Sequence, residues 1–235
     1  MQIFLRFPKW KTKAVTLSYD DGTIYDDKLI EIMSRYGVKG TFNINAGMMS
    51  EKFFLRQNAE VLNNLYKSFG MEIAMHGYNH EYLTGCKGSD ILKEYLDDKL
   101  YLEKYFDIVI RGGAYAFGVC NDEIVNTLKM LGVSYFRTTQ DTNSFALPTD
   151  FMRINPTIKH TANNLFELLD RFILEDPNKS YRAEPLLFYL WGHSYEFENN
   201  GNWNVIEKFC EKISKTDNIW CATNSEIYDY CRQIR

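Results

Sequence analysis

The stretch Ala14-Val15-Thr16-Leu17-Ser18-Tyr19-Asp20-Asp21-Gly22 decides the fold. Its first five residues form a β-type run, and it ends in two carboxylates and a glycine. A stripe at helical spacing follows, with Leu29, Met33 and Tyr36 on one face. That stripe stops at Gly37, where a left-handed residue can close a helix, and a new β-type run, Val38–Ile44, begins at once. One strand, one helix and a second strand are thus written in about thirty residues, the length of a βαβ unit.

The same order recurs outward from it. Further β-type runs are Met71–Met75, Asp107–Ile110, Val133–Arg137, Leu186–Trp191 and Ile219–Ala222, with another short candidate at Phe151–Ile154. Helical stripes lie between them: Ile124, Leu128 and Leu131; Leu165, Leu168, Leu169 and Phe172; Ile206, Phe209, Cys210 and Ile213. Gly70-Met71 and Gly132-Val133 repeat the helix stop, while Ser89, Asn121 and Thr161 stand where N-caps are wanted. Seven or eight strands alternating with helices predict an α/β fold with a parallel sheet, either open or closed. Asp20-Asp21, His76, Tyr115 to Gly118, Arg153 and His193 each come just after a β-type run. A closed barrel gathers strand ends on one face, so the expectation is an irregular (β/α) barrel of about seven parallel strands. No repeat or low-complexity linker divides the chain, and residues 1–235 are expected to form one domain.

Composition narrows the function. A net charge of −4 over 235 residues gives no footprint for nucleic acid. The longest strongly apolar run, Leu186–Trp191, is far too short to span a bilayer. Met1 to Trp10 carries Arg6, Pro8 and Lys9 rather than an export pattern, and the five cysteines include no CxxC pair. Reduced thiols and a cytoplasmic location are the expectation.

The chemistry-bearing residues fall into three short motifs. Asp-Asp-Gly alone reads as a turn, but two adjacent acids at a strand end point in different directions, so one can bind a cation while the other stays free. His76-Gly-Tyr-Asn-His80 spaces two imidazoles at i, i+4, a common geometry for two ligands of one metal; Gly77 replaces the glutamate that a metalloprotease of the HExxH type needs. Asp21, His76 and His80 would give a metal three protein ligands and leave a position for water, the design of a catalytic site. Asp20 is then the candidate base. His193, closing Leu190-Trp191-Gly192-His193, is the candidate acid for a departing amine or alcohol. His160 lacks a strand-end setting and reads as a loop or helix-cap residue. Trp191, Trp203 and Tyr195 read as core packing before sugar stacking.

From Leu17-Ser-Tyr-Asp20-Asp21-Gly22 to about Asn224, the chain resembles the polysaccharide deacetylases, the NodB-homology carbohydrate esterases. The resemblance implies a distorted barrel and hydrolysis of acetyl groups, N-acetyl above all, on a carbohydrate partner. It implies Asp20 as base, His193 as acid, and Asp21, His76 and His80 as ligands of a divalent metal: zinc foremost, with cobalt, manganese or nickel able to serve. Tyr115-Ala116-Phe117-Gly118 is similar to the family's oxyanion segment, with the Phe117 N–H as donor. Ala116 departs from the usual proline, and Tyr115 falls where many members carry an arginine that orients the base. Arg111 or Arg153 is expected to supply that guanidinium, so Phe117, Tyr115, Arg153 and Arg111 make up the expected oxyanion and substrate set. The late acid supporting the histidine has no clean match; Asp141, Asp150 and Glu196 are the candidates. These departures leave two alternatives open, a catalytically weakened carbohydrate-binding protein and a hydrolase of cyclic amides. The facial triad of an Fe(II) oxygenase shares the ligand set but has no use for the spare acid or the opposing histidine.

Overall fold

The computed structural model describes residues 6–49, 59–177 and 184–233. Eight strands, β1 (Lys13–Asp21), β2 (Thr41–Ile44), β3 (Glu72–Met75), β4 (Gly112–Ala114), β5 (Tyr135–Arg137), β6 (Ile158–Lys159), β7 (Leu186–His193) and β8 (Ile219–Cys221), join one sheet. The helices between and after them are α1 (Asp26–Arg35), α2 (Ala59–Ser68), α3 (Gly88–Phe106), α4 (Asp122–Met130), α5 (Leu165–Leu174), α6 (Ser194–Asn199), α7 (Asn204–Ser214) and α8 (Asn224–Gln233). Every ladder between these strands is parallel, in the order β5-β4-β3-β2-β1-β7-β6. β8 shares one edge of β1 with β2, pairing Lys13–Val15 while β2 pairs Ser18–Asp21.

The ring is closed by an irregular segment. The Phe136 and Thr138 amides donate to the Phe151 and Ile154 carbonyls, and the Ile154 amide returns a bond to Phe136. Six residues on, the Thr157 and His160 amides donate to the Tyr189 and Trp191 carbonyls of β7. Residues 151–160, which include β6, thus link β5 to β7, giving the expected distorted (β/α) barrel.

β1 is buried on both faces, as a central parallel strand must be. Val15, Leu17 and Tyr19 belong to one core cluster with Leu29 and Met33 of α1 and Phe209 of α7. Each such side chain contributes about 1.5–3 kcal/mol by leaving water. The alternate residues, Thr16, Ser18 and Asp20, enter a buried polar network with Asn43, Arg137 and Asn224. Period-two alternation therefore aims Asp20 inward, and the left-handed backbone at Asp21 (φ 79) breaks that alternation, so both carboxylates come within 4 Å of the same His76 nitrogen.

Several local expectations are corrected. The fourth strand is Gly112–Ala114, not Asp107–Ile110; Asp107 is the left-handed C-cap of α3. Neither strand glycine tolerates a side chain. A Cβ on Gly112 would lie 2.1 Å from the Tyr135 ring, and one on Gly113 would lie 2.2 Å from the Met75 carbonyl oxygen. Asn121 caps α4 through the Ile124 amide as expected, but α3 begins before Ser89 and α5 begins after Asn164 rather than at Thr161. The stops at Gly37, Gly70 and Gly132 hold, each with positive φ and with the following amide bonded back to the helix. Among the described residues, no helix is long and apolar enough to cross a membrane.

Candidate active site

Asp20, Asp21, His76, His80, Tyr115, Phe117 and His193 line one cleft of about 330 Å³ at the carboxyl ends of the strands, together with Thr139, Trp191 and Tyr195. Asp20 and His193 are direct partners across the β1–β7 ladder, so strand register alone brings them side by side.

The two imidazoles converge on Asp21. The His76 Nε2 lies 3.6 Å and the His80 Nε2 3.8 Å from the same Asp21 oxygen, Oδ1. One ligand atom from each of the three residues falls within 4.8 Å of the others. The His76 Nδ1 sits 2.8 Å from the Ala114 carbonyl oxygen, which can only accept, so Nδ1 carries the hydrogen and Nε2 presents a lone pair to the cleft. Burial disfavours the charged form of His76 and lowers its pKa, which outweighs the attraction of Asp20 and Asp21. Two neutral imidazoles and one carboxylate around an open position are a donor set that fits a divalent cation.

Asp20 is held separately. It is wholly buried, and the Arg137 Nη2 lies 2.5 Å from each of its oxygens. The Asn43 Nδ2 adds a bond of 2.8 Å to Oδ1. Burial alone would raise the pKa of this carboxyl, but Arg137, with His76 and His193, brings it down to about 2. Arg137 is itself fully buried, anchored through Nε to Ser18 and through Nη1 to the Thr138 carbonyl, with the Trp191 ring 4.8 Å from its Cζ.

Across the cleft, the His193 Nδ1 is 3.0 Å from the Glu196 Oε2, which also accepts the His193 amide at 3.1 Å. The His193 Nε2 turns inward, 4.0 Å from Asp21. Burial pulls the pKa of this imidazole down, yet the Glu196 bond and the nearby Asp20 and Asp21 raise it overall. Glu196 also receives Lys159 at 2.6 Å and lies 3.4 Å from the His160 Nε2, and its own pKa falls to about 2 despite desolvation. Phe117 adopts left-handed backbone (φ 57) and leaves its ring half exposed, 4.6 Å from the His80 ring and 5.7 Å from that of Tyr82.

Several sequence expectations land elsewhere. Arg111 precedes β4, at the end of that strand away from Tyr115, and forms an ion pair with Asp229. Arg153 pairs with Asp122 and Asp150 on the surface. Neither reaches Asp20; the guanidinium there is Arg137, from the next strand of the barrel. Tyr115 is buried and donates its hydroxyl to the Met152 carbonyl. Of the three acids weighed for His193, Glu196 makes the contact, whereas Asp141 accepts from the Trp191 indole and Asp150 pairs with Arg153. His160, read as a loop or helix-cap residue without a strand-end setting, lies in a turn but directly after β6, and it is buried between the Tyr19 and Phe197 rings. Trp191 and Tyr195 line the cleft, while Trp203 packs against Phe197 and Lys28.

By sequence, residues 8–136 match the family model described as polysaccharide deacetylase. No curated protein matches the chain. Among solved structures, a Mycobacterium smegmatis protein described as a candidate polysaccharide deacetylase superposes with a TM-score of 0.73 at 18% identity, covering 98% of this chain and 94% of that one. Puue allantoinase superposes at 0.74 and 12% identity, with coverage of 97% and 92%. The peptidoglycan deacetylase PdaC from Bacillus subtilis gives 0.63 at 16% identity, with coverage of 97% and 95%. At these identities the structural likeness concerns the fold. The family match, extending over more than half the sequence, places the chain in the polysaccharide deacetylase family.

Proposed function

We propose that the protein is a metal-dependent hydrolase that removes acetyl groups, N-acetyl above all, from a carbohydrate. The supporting observation is the convergence in one cleft of the Asp21, His76 and His80 donors, a carboxylate held by Arg137, and an imidazole held by Glu196. In this reading Asp21, His76 and His80 hold the metal, Asp20 is the base and His193 the acid. The pairing with Arg137 keeps Asp20 ionised at neutral pH but makes it a weak base. Such a base can take a proton only from an unusually acidic water, and a divalent cation supplies that acidity while polarising the acetyl carbonyl.

The attacking water oxygen forms a bond to the carbonyl carbon as its proton passes to Asp20. The amide of Phe117, a residue that lines the cleft, is the donor assigned to the developing oxyanion. As the carbon–nitrogen bond breaks, the protonated His193 gives its proton to the departing amine. Glu196 and the surrounding carboxylates favour that charged form of His193. Zinc is the cation assigned first, and the half-buried Tyr195 offers the ring against which a sugar can lie.

The test is acetate release from short N-acetylated oligosaccharides before and after chelation. Chelated protein should lose turnover and regain it with zinc. Asp21→Asn should lose the metal, whereas Asp20→Asn should retain it and drop turnover by about 10²–10⁴-fold, the usual share of a general base. Full activity after exhaustive chelation would falsify the metal reading. A cleft of 330 Å³ lies near the lower end of small-molecule sites, which favours one second reading, hydrolysis of a cyclic amide. Ring opening of a small lactam or ureide with no acetate release from sugars would select it.

A further inference from the structure

The loop carrying His76 and His80 lacks regular secondary structure, yet its backbone has few spare polar groups. The His76 amide is shared between the Ile44 carbonyl at 3.2 Å and the Asp98 Oδ2 at 3.0 Å. The Gly77 amide donates to the same Asp98 oxygen at 2.9 Å, and the Tyr78 amide donates to the Glu94 carbonyl at 3.3 Å. The three carbonyls are bonded as well. Asn45 Nδ2 donates to those of His76 and Gly77 at 2.8 and 2.7 Å, and the Gly47 amide donates to that of Tyr78 at 2.9 Å. Further on, the Glu94 Oε1 accepts the amides of Asn79 at 2.7 Å and Glu81 at 3.3 Å, on either side of His80. Asp98 also accepts the Ala46 amide at 2.9 Å, joining this loop to the one after β2.

Two carboxylates one turn apart on α3 therefore grip the segment from His76 to Glu81. Asp98 is fully buried and Glu94 nearly so. An acid in the middle of a helix has no local reason to be buried, and desolvating it is costly unless donors meet it. Here the donors are loop amides. The grip also fixes the residue between the ligands: Gly77 has φ +85, and a Cβ there would lie 2.9 Å from the Glu94 Oε1.

We infer that Asp98 and Glu94 are positioning residues for the metal-binding loop, holding the backbone of His76 to Glu81 so that both imidazoles face Asp21 before any cation arrives. The inference rests on the reading of Asp21, His76 and His80 as metal ligands. Its physical content is preorganisation: without the clamp, ordering the loop is charged against cation binding.

Zinc affinity and hydrogen exchange of the metal-free protein test it together, with Glu94→Ala, Glu94→Gln, Asp98→Asn and His80→Ala. Glu94→Ala should weaken zinc binding by about ten- to hundredfold, the usual effect of removing an outer-shell partner. Metal-free Glu94→Ala should also exchange faster over residues 76–81. Glu94→Gln keeps the accepting oxygen and should stay near wild type in both measurements. Asp98→Asn places an amide against N–H donors and should weaken zinc at least as much as Glu94→Ala; should it fail to fold, the Glu94 pair decides. A merely structural role would lower the melting temperature of Glu94→Ala yet leave the zinc affinity of the folded protein unchanged, and that result overturns the clamp. If wild type and His80→Ala bind zinc equally poorly, the ligand assignment itself has failed and takes the inference with it, a signature distinct from tight wild-type binding with an indifferent Glu94→Ala.

Discussion

The two sides of the cleft are fixed in different ways. Asp20, the proposed base, is held by Arg137 across 117 residues of sequence, and neither side chain of the pair is more than 2% exposed. His193, the proposed acid, is held by Glu196 three residues further on, with both side chains about one-sixth exposed. The first contact is part of the barrel interior; the second is part of a helix start. A fully buried pair cannot lose one partner without stranding the other charge, whereas a local, part-solvated pair can be altered with the fold intact. The base side should therefore report through stability as well as rate, and the acid side through the rate–pH profile.

The sharpest way to break that contrast is Arg137→Gln. Stranding Asp20 should cost about 3–5 kcal/mol of stability in denaturant melts at neutral pH. Because Arg137 depresses the Asp20 pKa below its ordinary value, the stabilisation is present above that ordinary value and disappears as pH falls through about 2. The gap between wild type and variant should close over that range. In the folded variant, burial raises the Asp20 pKa against only His76 and His193, so the acid limb of kcat/KM should move to higher pH. A variant as stable as wild type with an unmoved limb would remove Arg137 from the account.

Glu196→Gln should act more gently. Losing a charged hydrogen bond of about 1.5–3 kcal/mol corresponds to roughly ten- to hundredfold in turnover. Glu196 raises the His193 pKa, so its removal should shift the basic limb of the rate profile to lower pH. A basic limb that stays put would detach Glu196 from the acid. The smallest effect is expected from Gly192→Ala, whose Cβ would fall 2.1 Å from the His160 Nδ1. Overpacking there should cost about 1–3 kcal/mol. Since His160 backs Glu196, a shift in the basic limb without one in the acid limb would confirm that the two sides are independent.

What the sequence disclosed follows the same division. Asp20-Asp21 and His76-x-x-x-His80 are contiguous motifs, legible because their chemistry depends on short spacing. Glu196 was within reach for the same reason: His193-x-x-Glu196 has the N-cap to N3 spacing at which a glutamate returns to the first amide of a helix. Arg137 carried no such mark. An arginine closing a short strand reads as surface, and only barrel closure sets it opposite β1. Asp98 and Glu94 were hidden likewise, because an acid at i, i+4 on a helix signals solvent until the loop that meets it is known. The fourth strand was missed because its two glycines resemble a turn, although they are there to let neighbouring backbone and rings approach.

That glycine strand has a last consequence. It ends at the carbonyl of Ala114, which fixes the tautomer of His76. Where a side-chain carboxylate does this work, one substitution can retune the imidazole; here the acceptor is main chain, present whatever residue occupies position 114. The tautomer of this ring is thus insulated from ordinary mutational drift and answers to the alignment of two strands, β3 and β4, whose ladder pairs Met75 with Gly113.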